Sequence, residues 1–208
     1  MMSATTLEHG HDAAHEHAHE TSTGLSNNKV GMWTFLATDC LLFGALIAVY
    51  LLYRGRAVFG PVPHDLYDIP YTSVSSFVLL MSSLTMVLAH AAAVRRDTAR
   101  MRLWLGATAL LGATFIGGQV YEFTSFIREG MTLKTNVSSS AFYVLTGFHG
   151  VHVTLGIVML LSLVVLSVRG RLTADNHEAV ELVGLYWHFV DIVWIVLFTL
   201  VYLLPAPK

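Results

Sequence analysis

Six ionisable side chains set inside apolar runs are the residues able to do chemistry here: Asp39, Glu122, His149, His152, His188 and Asp191. His149 and His152, three residues apart, fall on one face of a helix. Neutral imidazole suits haem iron or copper, and His152 with His188 is the pair that could approximate two axial ligands. Each ring can equally donate a hydrogen bond to a carbonyl or carboxylate across a helix interface, which is the plainer reading. Asp39 has only Thr38 as a polar neighbour in its run. Desolvation there disfavours the ionised form, so a hydrogen-bonded acid is expected. It can serve as a proton relay, or it can cap a neighbouring helix or hold a lipid or subunit contact. At about 100° per residue, Trp187, Asp191, Trp194 and Phe198 form one stripe with His188 on its flank. Ionisable groups at membrane depth face protein or a water-filled cavity, so this stripe is a contact surface or a site. No nucleophile stands beside a base and no cofactor anchor is recognisable, so these residues alone assemble no reaction.

The elements that must position these groups follow from composition. Of 208 residues, 54% are hydrophobic and 12% charged, against roughly 25% charged in a soluble domain. Such a chain is an integral membrane protein. Five stretches reach the roughly 20 apolar residues needed to cross a bilayer: 30–53, 71–94, 103–127, 139–168 and 180–204. In the first, Asp39 shares a face with Phe35, Leu42, Phe43 and Leu46. Pro61, Pro63 and Pro70 keep the following loop extended. In the second, Ser73, Ser75, Ser76, Ser82 and Ser83 offer small surfaces for close helix approach, and His90 is expected at the membrane interface. In the third, Gly106, Gly112, Gly117 and Gly118 predict a packing helix, with Gln119 and Glu122 on one face near its end. The predicted fold is an all-α integral membrane protein. It has one bundle of five transmembrane helices over 30–208, behind a polar His-rich tail, 1–29.

That tail carries His9, His11, His15, His17 and His19 among acidic residues. A solvated tail is expected, with weak transition-metal binding as the sharper alternative. It has no basic flank and no apolar core, so no cleavable signal peptide is read from it. A net charge of -2 argues against nucleic acid as a partner. The single cysteine, Cys40, allows no internal disulfide or thiolate cluster and is expected as a small buried apolar residue. With the N-terminus inside, the cytoplasmic side carries seven basic residues: Lys29, Arg95, Arg96, Arg100, Arg102, Arg169 and Arg171. The other side carries five, so an N-terminus in the cytoplasm and a C-terminus on the outer face are predicted.

Four stretches resemble a known family. GMWTFLATDCLLF at 31–43, QVYEF at 119–123, TGFHGVHV at 146–153 and YWHFVDIVW at 186–194 are similar, in order, to the motifs of subunit III of haem-copper terminal oxidases. The resemblance implies the five-helix bacterial form, whose helices enclose a V-shaped cleft filled by phospholipids. It implies a non-catalytic subunit without haem or copper of its own, those groups lying in partner subunits. The partners implied are the oxygen-reducing, proton-pumping subunit I, subunit II and a small subunit IV, in a bacterial plasma membrane. The subunit as a whole is implied to support proton uptake and to protect the catalytic subunit from turnover inactivation; by the same matching, Asp39 stands where the family has an intramembrane carboxylate, often Glu, near proton uptake and the lipid cleft. Glu122, His149, His152, Trp187, His188 and Asp191 become interhelix or lipid-cleft contacts. Cytochrome c is favoured as electron donor, with a ubiquinol or menaquinol oxidase as the alternative. A nitric-oxide-reductase accessory protein, a stand-alone membrane cytochrome and a proton-coupled transporter are more distant rivals.

Overall fold

The computed structural model describes residues 26–54, 56, 60, 67–172 and 177–204. The His-rich tail, Pro61, Pro63 and Lys208 lie outside the described residues. Five helices make up the fold: α1 (Asn27–Tyr53), α2 (Ile69–Val94), α3 (Thr98–Arg128), α4 (Val137–Val168) and α5 (His177–Phe198). A π-helical turn, Thr199–Leu203, extends α5. All five are long and apolar enough to cross a membrane, and the chain is a multi-pass membrane protein.

Each helix begins two to five residues before its hydropathy suggests, and polar caps start α1 to α4. Asp68, Asp97 and Asn136 accept hydrogen bonds from the backbone N–H groups of Tyr71, Arg100 and Ser139, at 3.1, 3.0 and 2.7 Å. Pro70 sits in the first turn of α2, where its missing N–H costs nothing. Three helix ends share one closing geometry. At the ends of α2, α3 and α4 a residue with positive φ precedes a backbone N–H that reaches back to Ala92, Phe126 and Leu166 respectively. Gly130 and Gly170 fill that position in α3 and α4, but α2 places Arg96 there, at φ 60.

Packing centres on α5, which touches α1, α2 and α4; the most extensive pairing is α2 with α3, and α1 rests on α4 and α5. The centre is Trp187, fully buried. Its indole N–H donates to the Ser82 hydroxyl at 3.0 Å. Its ring lies so close to Gly112 of α3 and Gly156 of α4 that a Cβ on either would sit 2.6 or 2.7 Å from it. Trp194 repeats the pattern one level on, donating to Ser76 at 2.9 Å. Membrane helices gain little by burying apolar surface, so close packing and such cross-helix bonds carry the association.

The glycine prediction for α3 therefore holds for only half its residues. Gly112 and Gly118 meet Trp187, Ser75 and Tyr71, whereas Gly106 and Gly117 have no neighbour within 4 Å of a built Cβ. Cys40 is a correction: it lies on the exposed face of α1, not in the core. Phe35 and Leu42 are also exposed, leaving Phe43 as the buried neighbour of Asp39. The bundle ends are tied across helices. Lys29 pairs with Glu181 at 2.8 Å and Ser26 donates to Glu178 at one end. Arg54 donates to the Leu204 carbonyl at the other.

Candidate functional site: three buried polar clusters

The structure sorts the sequence-predicted residues into three clusters. The first joins α1 to α4. The Asp39 carboxylate faces His152 Nε2 at 3.6 Å, slightly beyond a hydrogen bond, and both residues are buried. The other ring nitrogen of His152 is 2.9 Å from the Phe148 carbonyl one turn back, which orients the imidazole toward α1. Phe43 packs edge-on against this ring with centroids 5.0 Å apart. Tyr186 closes the cluster from α5 by donating to the His152 carbonyl at 3.0 Å. His149, one turn away, is fully enclosed. It stacks on Trp194 with centroids 4.9 Å apart, and neither of its nitrogens has a hydrogen-bond partner among the described residues.

The second cluster joins α2, α3 and the π-helical turn. Glu122 accepts three side-chain hydrogen bonds: from Thr72 at 2.9 Å, Gln119 at 3.3 Å and Tyr202 at 3.3 Å. Two donors come from other elements, so this carboxylate is a brace. The π turn is what brings Tyr202 inward, where its ring meets that of Tyr67 at 4.4 Å. Tyr67, in the loop before α2, approaches Tyr50 of α1 at 3.5 Å between hydroxyls. Burial pushes the Tyr67 phenol well above its ordinary range.

The third cluster joins α2 to α5. Ser83 is 2.7 Å from His188 Nδ1. Asp191 lies beside Ser83, and neither of its carboxylate oxygens is within hydrogen-bonding geometry of a partner among the described residues. His90, near the end of α2, has one ring nitrogen enclosed and lies within electrostatic reach of His188.

The two histidines considered as a ligand pair point apart. Tyr186 faces His152, and His188 two residues on is about 200° further round α5, toward α2. Two neighbours of the predicted residues went unread in the sequence, Thr72 and Tyr202, and Tyr186 was read only as the first residue of a motif. Thr72 and Tyr202 are far from Glu122 in the chain, and Tyr202 depends on a π turn without a sequence signature. Ser76 and Ser82 read as small packing residues, and they also serve as indole acceptors.

Residues 6–205 match the family described as cytochrome c oxidase subunit III. The chain is 38% identical over 200 residues to the cytochrome bo(3) ubiquinol oxidase subunit 3 of Pseudomonas aeruginosa, covering 96% of this chain and 95% of that one. It is 39% identical to the cytochrome c oxidase subunit 3 of Thermostichus vulcanus, covering 98% of each. It is 36% identical to a probable quinol oxidase subunit 3 of Staphylococcus saprophyticus, covering 95% of this chain and 97% of that one. A five-helix membrane bundle with these matches end to end belongs to the subunit III family of haem-copper oxidases.

Proposed function

We propose that this chain is the non-catalytic subunit III of a bacterial respiratory cytochrome c oxidase. It holds the oxygen-reducing, proton-pumping subunit in shape and organises phospholipid beside it. The observation that carries this reading is the use made of Glu122. A buried carboxylate that accepts bonds from α2, α3 and the end of α5 is committed to holding helices together. Haem and copper belong to subunits I and II, and a small subunit IV completes the set. Phospholipids fill a V-shaped cleft within this chain. The Asp39–His152 pair stands at the edge of that role, as a buried carboxylate with one imidazole for company, suited to proton uptake beside the catalytic subunit. The N-terminus is cytoplasmic, the C-terminus lies on the outer face, and the membrane is the bacterial plasma membrane. The domain comprises 30–208, with 1–29 as a separate polar tail.

The second reading is a quinol oxidase, and the names of the Pseudomonas aeruginosa and Staphylococcus saprophyticus relatives favour it. Gentle purification through this chain, followed by mass spectrometry and reduced-minus-oxidised spectra, tests the assignment. Haem-bearing subunits should co-purify, and assays with reduced cytochrome c and with quinol then decide the donor. Asp39→Ala should leave the haem spectra intact, while removal of the whole subunit should speed inactivation during turnover. Equal turnover lifetimes with and without this chain would remove the protective role.

A further inference from the structure

The cluster between α2 and α5 contains an acid that the proposed role leaves unused. Asp191 is 3% exposed and stands one residue from the middle of the span His177–Leu203, far from either membrane surface. Neither of its carboxylate oxygens has a partner among the described residues. An ionised carboxylate without donors is costly at such a depth, so the protons around it have to be accounted for.

Its surroundings supply one hydroxyl. Ser83 of α2 lies beside Asp191, and the same hydroxyl is 2.7 Å from His188 Nδ1. His188 and Asp191 are three apart on α5, so they reach the same side of that helix, about 60° apart and roughly 4.5 Å along its axis. A serine hydroxyl has a single proton to give. It can donate to the imidazole or to the carboxylate but not to both, and its choice fixes where the other two groups carry theirs. With the proton on Asp191, Ser83 donates to Nδ1 and His188 carries its hydrogen on Nε2. With Asp191 ionised, Ser83 donates to the carboxylate and the His188 Nδ1–H donates to Ser83.

This path has an outward end. Ser83 and His188 are half-buried, whereas Asp191 is buried. His90 is two turns beyond Ser83 on the same face of α2. It stands four residues before the helix end at Val94 and within electrostatic reach of His188. From α1 and α4, Asp39 and His152 approach α5 at Tyr186, and His149 approaches it at Trp194. None of these three acts on Asp191 or His188. The titratable groups of the path are therefore Asp191, His188 and His90.

We propose that Asp191 is a proton-holding site in its own right, exchanging its proton with the C-terminal end of α2 through the Ser83 hydroxyl and the His188 imidazole. Release moves three protons one place each. The Asp191 proton goes to Ser83 Oγ, the Ser83 proton goes to His188 Nδ1, and the His188 Nε2 proton goes to water on the His90 side. The imidazole ends neutral with its hydrogen on Nδ1, one proton has left the chain, and no electron has moved. Uptake is the reverse. The site goes beyond the role in the oxidase proposed above and is independent of the electron donor.

Infrared difference spectroscopy tests it on the intact complex, purified through this chain and held near neutral pH. Asp191→Asn should remove one protonated-carboxyl C=O band, and in the unaltered complex that band should shift on transfer to D2O. Ser83→Ala and His188→Asn should keep the band but slow its shift about tenfold or more, while other carboxyl bands keep their rates. Ser83→Thr, which restores a hydroxyl, should restore the rate. Absence of any band that Asp191→Asn removes would overturn the proposal, as would an unchanged rate in Ser83→Ala with the band in place. Equal slowing in Ser83→Thr would also sink it, since packing would then explain the effect. Should Ser83→Ala fail to assemble, His188→Asn decides by the same rate, because its amide cannot pass a proton from one ring nitrogen to the other.

Discussion

The two sides of α5 treat their polar groups differently. Toward α2 and α3, Trp187 and Trp194 each donate to a serine, and Glu122 receives three donors. Toward α1 and α4, Asp39 and His152 face each other at 3.6 Å, and His149 is enclosed with both nitrogens unbonded. Buried polar groups that are fully paired rigidify a structure, while unpaired ones store cost and mark places that can change state. The first side is the fixed frame. The second holds Asp39 and His149 with hydrogen-bonding capacity unfilled by any described residue, a state that Asp191 alone shares among the α5 groups facing α2.

Substitutions sharpen that contrast, and thermal unfolding in mild detergent reads them. Trp187→Ala should cost most, about 3–5 kcal/mol, since it empties the centre and removes the indole bond to Ser82. Glu122→Leu should follow at about 2–3 kcal/mol, because it leaves the buried donors of Gln119 and Tyr202 without this acceptor, while Thr72 keeps the Asp68 carbonyl. Asp39→Asn should cost less than about 1 kcal/mol, because no hydrogen bond joins Asp39 to His152. Equal losses at Glu122 and Asp39 would break the distinction between the two sides.

Glycines give a finer comparison. Gly156→Ala forces a methyl to 2.7 Å from the Trp187 ring and should cost about 1–3 kcal/mol. Gly117→Ala meets no neighbour within 4 Å and should be neutral or stabilising by up to about 1 kcal/mol. A cost at Gly117 as large as at Gly156 would mean that this helix face is packed after all. Smallest is Arg96→Gly. It relieves a side chain held at φ 60 and should raise stability by about 0.5 kcal/mol.

The sequence carried the helices and much of the stripe. A spacing of about 100° per residue is enough to predict that Trp187, Asp191 and Trp194 share a face, and all three are buried. Phe198, placed on the same stripe, is only partly buried. Helix starts were misjudged because a hydropathy pattern does not register a polar first turn such as that of α3. Partners were the least legible part. Nothing local indicates that Asp39 meets His152 across α1 and α4, or that Tyr202 meets Glu122 eighty positions away. Glycine is ambiguous by nature, since a missing side chain records that something comes near without recording from which side. Gly112 answers to a ring of its own chain, and Gly147 does not.

The slot that holds Trp187 also bears on biosynthesis. Its walls come from α3 and α4 and its acceptor from α2, all made before α5 leaves the ribosome. Until the fifth helix enters the bilayer, the earlier four lack the wedge that sets their spacing. Helices α2, α3 and α4 can pair before then, but the slot between them stays empty until the indole arrives.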